Sequence, residues 1–166
     1  VDAWAAKNGC AISSMPLAKK VAAEILEHDV PLVSDFPIKG ALPGGIVEKT
    51  QGALGIVIGY CTKEPFAETL RLTPRVLRLG IGCRRDKDPA ELAQQVDRVL
   101  AQYQIAPESI CKIASIDLKM HEKAICQLAE TWKVPFVTFS AETLLQMPGE
   151  YALSDFVKKT TGVGNV

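Results

Sequence analysis

The chain has 166 residues, 48% of them hydrophobic, with 19 basic and 19 acidic side chains. That is enough apolar material for a packed domain, which excludes disorder. A formal net charge of zero argues against a general nucleic-acid binder, which needs a basic surplus, and no apolar run reaches the length of a membrane span. The opening residues, Val1 to Lys7, lack the basic flank and apolar core of a signal peptide. Five widely spaced cysteines, no C-x-x-C pair and only two histidines point away from a disulfide framework and from a protein metal site. A reducing cytoplasm is the expected setting. The absence of an initiator Met and the ending Thr-Gly-Val-Gly-Asn-Val suggest a piece of a longer protein.

In chain order, residues 1–12 show no strong pattern, and Asp2-Ala3-Trp4-Ala5 is read as a strand end or a short helical turn. Ser14 is placed to cap a helix with Pro16 in its first turn. That helix is predicted to run to about Glu27, with Leu17, Val21 and Ile25 on one stripe. A short strand over Pro31–Ser34 follows. Residues 35–52 hold Pro37, Gly40, Pro43, Gly44, Gly45 and Gly52 and are expected to form a loop. Ala53–Tyr60 is a continuous apolar run, expected as a strand buried on both faces. Pro65 and Pro74 bracket a short extended piece, Thr69–Leu72.

A domain boundary is expected near Pro74, dividing residues 1–74 from residues 75–166. Beyond it strands and helices alternate. A strand over 76–82 leads to Asp88, a predicted N-cap, with Pro89 at the first helical position and Glu91 completing a capping box. Leu92, Val96, Val99, Leu100 and Tyr103 are expected as the buried stripe of that helix. A short helical turn is expected at Pro107. A strand over Lys112–Ile116 ends at Asp117, a helix spans roughly 121–131, and a strand over Pro135–Phe139 ends at Ser140. Ser140 opens a further helix and Ser154 a last one. This alternation predicts an α/β fold: a three-layer αβα domain with a largely parallel or mixed sheet, preceded by a smaller α/β region.

In a parallel sheet the carboxyl ends of the strands share one edge, where ligands bind. Three predicted strands end in polar groups there: Cys83-Arg84-Arg85 after Gly80 and Gly82, Asp117 with Lys119, and Ser140 with Glu142. Glycines at 80 and 82 permit a sharp turn or a close approach of the backbone. Gly80-Ile81-Gly82-Cys83-Arg84-Arg85 starts like a dinucleotide fingerprint, but Arg85 stands where the third glycine belongs. An arginine pair instead suits carboxylates or phosphates, bound in bidentate fashion. Ser140 and Glu142 are equally well explained as residues opening a helix. Cys83 is either a nucleophile activated by nearby cations or a structural thiol, and the lack of a partnered His favours the second. His121 and the lysine pairs 19–20 and 158–159 read as surface.

Leu79-Gly-Ile-Gly-Cys-Arg-Arg85, Ala114-Ser-Ile-Asp-Leu-Lys119, Phe139-Ser-Ala-Glu142 and Phe156-Val…Thr161-Gly-Val resemble the C-terminal domain of the cobalamin-biosynthesis protein CbiG, a domain that also occurs alone as CobE. Val1-Asp-Ala-Trp-Ala resembles the end of the CbiG N-terminal domain. Ser34-Asp-Phe-Pro37, Leu54-Gly-Ile-Val57 and Thr69–Arg75 resemble its middle region. The family pattern has Gly after the arginine pair and Ala-Asp-Glu after the lysine; this chain has Asp86-Lys87 and Met120-His121-Glu122. Those positions are set aside as chemistry.

The resemblance implies cobalt-precorrin-5A hydrolysis in the anaerobic route: a δ-lactone is opened and acetaldehyde leaves, giving cobalt-precorrin-5B. The cobalt arrives with the tetrapyrrole, so no cofactor is implied; other corrin-pathway enzymes are possible partners. With that substrate, Arg84, Arg85 and Lys119 are expected to clamp its carboxylate arms. Gly80, Gly82, Cys83 and Ser140 are expected to line the site, and Asp117, with Glu142 second, to act as the base. The amides after Gly82 and the Lys119 ammonium are placed to serve the oxyanion. The alternative is a non-catalytic module that binds or carries a corrin intermediate. A nucleotide-binding α/β domain is the third reading, and the first two strand-end glycines are all that supports it.

Overall fold

The computed structural model describes residues 1–148; the helix expected from Ser154 lies outside them. The described residues divide into two compact units, one formed by Val1–Val76 with Leu100–Ser109, the other by Leu77–Val99 with residues 110–148.

The first unit is built on a five-stranded mixed sheet. Its strands are β1 (Cys10–Ile12), β2 (Val30–Ser34), β3 (Ile46–Glu48), β4 (Leu54–Ile58) and β5 (Glu68–Pro74), in the order β1-β5-β4-β2-β3. All neighbours are parallel except β1, which runs antiparallel to β5. Helix α1 (Asp2–Lys7) takes up the ambiguous opening residues, and α2 (Met15–Glu24) starts where Ser14 accepts the Leu17 amide at 3.3 Å. Ala18 and Val21 of α2 join Ala5, Leu32, Ile56, Leu70 and Leu72 in the core. Two strands depart from expectation. β3 lies inside the stretch read as loop, because Ile46 and Val47 find partners in Val30 and Pro31 of β2. β5 is longer than the short piece expected, because it is held on both sides, by β4 and β1.

The second unit holds a parallel three-stranded sheet of β6 (Leu77–Gly80), β7 (Ile110–Ile116) and β8 (Phe136–Phe139), with β7 in the centre. Helix α3 (Pro89–Gln102) follows β6, α4 (Lys123–Trp132) follows β7 and α5 (Ala141–Leu145) follows β8. The class is therefore α/β, with parallel and mixed sheets and helices packed on them. Asp88 caps α3 by accepting the Glu91 amide at 2.9 Å. The reciprocal half of the capping box is missing, since the Glu91 carboxylate pairs with Lys87 instead. Leu92, Val96 and Leu100 of α3 are buried, but Val99 and Tyr103 are 50% and 65% exposed. Periodicity marks an arc of a helix; burial also needs something packed over the arc at that point. Ala124, Ile125, Leu128 and Ala129 form the buried face of α4.

Candidate functional site

Parallel pairing fixes where the strand ends fall. Gly80 is level with Ala114, and Ile116 with Phe139. The chain therefore leaves β6, β7 and β8 along one edge, carrying Cys83 to Arg85, Asp117 to Lys119, and Ser140 to Glu142 with it.

The first segment is tied to the centre of the sheet. The Ile81 amide donates to the Ala114 carbonyl at 2.9 Å, and the buried Ser115 hydroxyl donates to the Ile81 carbonyl at 2.6 Å. Both Ile81 and Ser115 are almost inaccessible, so each of these bonds satisfies a polar group that water cannot reach. The reversal itself comes later than the glycines. It falls at Arg85-Asp86, where Asp86 adopts φ 55°, a conformation Asp tolerates better than most residues.

After β7, Asp117 opens a single 3-10 turn, and its carbonyl accepts the Met120 amide at 2.9 Å. That turn swings Lys119 inward. Its Nζ lies 3.0 Å from Oε2 of Glu122, with side-chain exposures of 15% and 6%. Glu122 is the N-cap residue of α4, and its carbonyl accepts the Ile125 and Cys126 amides. A carboxylate at a helix N-terminus is favoured by the helix dipole. Cys83 lies in the field of this pair. Burial pushes its thiol pKa up; Lys119 draws it down, Glu122 pushes it up again, and Lys87 draws it down. The net shift is upward, so the thiol is held protonated, which suits a structural group better than a nucleophile.

Arg84 and Arg85 are exposed and have no ion-pair partner among the described residues. Asp117 is exposed at the start of its turn. Ser140 caps α5, its Oγ accepting the Thr143 amide at 3.3 Å and lying 3.1 Å from the Thr143 hydroxyl. Glu142 is fully exposed, and its carboxyl pKa is lowered by the Ser140 hydroxyl and its own backbone amide. Thus Cys83, Lys119 and Glu122 form one electrostatic cluster. Arg84, Arg85, Asp117, Ser140 and Glu142 lie on the same edge without a hydrogen bond or ion pair to it. Glu122 and Ser115 were missed from the sequence. The i,i+3 spacing of Lys119 and Glu122 was the available signal for the first; a hydroxyl next to last in an apolar strand was the signal for the second.

The family of the cobalamin synthesis G C-terminus matches residues 77–166, beginning at the first residue of β6. The chain belongs to this family. Within the CbiG C-terminal family, it is 41% identical over 96 residues to a cobalt-precorrin-5A hydrolase of Salmonella typhimurium, covering 58% of this chain and 27% of that protein. A cobalt-precorrin-5A hydrolase of Priestia megaterium is 32% identical over 97 residues, covering 56% and 25%. The chain thus spans about a quarter of the length of these relatives. The crystal structure of CobE, a protein from the cobalamin (vitamin B12) biosynthetic pathway, is similar at a TM-score of 0.50 and 28% identity, over 54% of this chain and 63% of CobE. Among the described residues, no helix is long and apolar enough to cross a membrane.

Proposed function

We propose that this chain is a CbiG-type component of cobalamin biosynthesis, acting in the cytoplasm on cobalt-precorrin-5A, whose δ-lactone is hydrolysed with release of acetaldehyde. The reading is carried by residues 77–166, which match the family while their three parallel strands set cationic and carboxylate groups along one edge.

A precorrin is rimmed with carboxylates. Arg84 and Arg85, exposed and without ion-pair partners among the described residues, take those arms as charge-assisted pairs. Asp117, exposed at the mouth of the edge, removes a proton from the water that adds to the lactone carbonyl. The backbone amides following Gly82 take the oxyanion, and the Lys119 ammonium, held in its pair with Glu122, adds a positive charge behind them. The carbon–oxygen bond of the lactone then breaks, leaving a carboxyl arm and, on the methylated bridge carbon, an alkoxide. As that oxygen forms the aldehyde C=O, the carbon–carbon bond to the macrocycle breaks. Its electron pair stays on the tetrapyrrole and takes up the proton held by Asp117, and acetaldehyde leaves. The Ser140 hydroxyl and its own backbone amide lower the Glu142 carboxyl pKa, which makes it a weaker base than an ordinary glutamate. Cobalt belongs to the substrate, and the protein supplies no cofactor.

That the chain spans about a quarter of the hydrolase relatives favours a second reading, a module that binds a corrin intermediate without acting on it. Incubating this chain and a full-length hydrolase relative with cobalt-precorrin-5A, and assaying acetaldehyde, separates the two. Binding without acetaldehyde from either protein ends the hydrolase reading. Binding by both, with release only by the longer protein, assigns this piece to substrate recognition.

A further inference from the structure

We propose that the first unit carries a separate ligand site, at the point where its strand order reverses, for a small apolar anion. β2 pairs in parallel with β3 on one side and with β4 on the other. The chain therefore leaves β2 in one direction, and the next strand is added in the opposite direction. In open α/β sheets such a reversal opens a crevice at the carboxyl ends of the two strands. Those ends are Ser34 and Ile58, which are level with each other.

Parallel neighbours are ordinarily joined through a helix that covers the sheet. Here the β2–β3 connection, residues 35–45, holds two prolines and three glycines and forms no helix. The face bearing Leu32, Ile56 and Leu72 is left with a cavity of about 500 Å³ beneath that loop, walled also by Trp4 and Phe36. The volume falls within the range of small-molecule sites, roughly 300–1,000 Å³.

The polar groups decide the ligand class. The Ser34 hydroxyl is already engaged, accepting the Phe36 amide at 3.1 Å and donating to the Phe36 carbonyl at 2.9 Å. Lys39 is the single charged side chain of the lining, and no carboxylate pairs with it among the described residues. An apolar wall with one available ammonium fits a compact apolar body with one anionic group, such as an aromatic carboxylate or sulfonate. It does not fit a sugar or nucleotide, which would leave many polar groups unpaired.

Fluorescence titration of the whole chain with 8-anilinonaphthalene-1-sulfonate, and with its uncharged counterpart N-phenyl-1-naphthylamine, tests this. Both probes are expected to saturate at one site per chain. Ala41→Trp, on the exposed loop over the cavity, should fill the space and abolish binding of both. Lys39→Gln should weaken the sulfonate roughly two- to fivefold, the size of an exposed charge contact, and leave the neutral probe unchanged. Failure to saturate, binding that survives Ala41→Trp, or equal effects of Lys39→Gln on both probes would overturn the proposal.

Discussion

The Lys119 ammonium sits 3.0 Å from the Glu122 carboxylate, and both side chains are largely withdrawn from water. Removing one partner leaves the other charge under-solvated, so Glu122→Gln is expected to cost about 1.5–3 kcal/mol. Pairing it with Lys119→Met should cost less than the sum of the two single changes. Urea denaturation of the four proteins of the cycle measures both numbers.

Ser115→Ala removes the 2.6 Å bond to the Ile81 carbonyl and strands a buried acceptor. A loss of about 1–3 kcal/mol is expected. Because that bond anchors the segment leading to Cys83, amide exchange over residues 81–83 should accelerate more than exchange in β8. Uniform acceleration across the second unit would mean that the bond stabilises the unit without specifically anchoring the segment.

Cys83 titrates above an ordinary thiol because burial opposes the thiolate. Glu122→Gln removes a charge that raises its pKa and should bring the pKa down. Lys119→Met removes a charge that lowers it and should send it up. Alkylation rate against pH, in a chain whose other four cysteines are serines, reads both. The linkage has a definite sign. Cys10 is also raised by burial, so at both positions the unfolded chain releases its proton first. Their contribution to stability is complete below the ordinary thiol pKa, about 8.5, and is lost as pH rises past it.

Asp117→Asn should lower acetaldehyde release by roughly 10²–10⁴-fold, the usual worth of a general base, with binding of cobalt-precorrin-5A retained. Arg84→Ala combined with Arg85→Ala should do the reverse, weakening binding and steepening its salt dependence less than the native pair does. An Asp117→Asn protein with undiminished release would remove Asp117 from the chemistry.

Gly45 and Gly40 both adopt positive φ, 77° and 83°. Only Gly45 is also crowded: a Cβ there would lie 2.4 Å from the Ile25 carbonyl oxygen, whereas at Gly40 nothing is within 4 Å. Gly40→Ala should cost about 1–2 kcal/mol, the backbone term alone. Gly45→Ala should cost clearly more, as read from thermal unfolding of the first unit.

The strand ends were legible in the sequence because the cues are local. Apolar runs stop at Asp117 and Ser140, and caps at Ser14, Asp88 and Ser140 announce the helices; the strand expected over 76–82 ends earlier, at Gly80, because Ile81 is the last residue of that segment bonded to β7. Strand β3 was not legible: three residues among prolines and glycines form a strand only because β2 lies beside them. The family resemblance, too, was carried by short linear motifs. Setting aside positions 120–122 together, although only 120 and 121 depart from the Ala-Asp-Glu pattern, hid Glu122, whose importance comes from being buried against Lys119.

By itself the sequence determined which segments are strands and helices over most of the chain, the alternation that makes it α/β, and the order in which polar groups follow the strands. These are properties of neighbouring residues, set by periodicity, capping and chain breakers. Only the tertiary structure decided which polar groups meet. Parallel register put three distant strand ends on one edge, a 3-10 turn sent Lys119 inward to Glu122, and a helix-free crossover left a cavity over β2 and β4. Each depends on contacts between residues far apart in the chain, which no local pattern encodes.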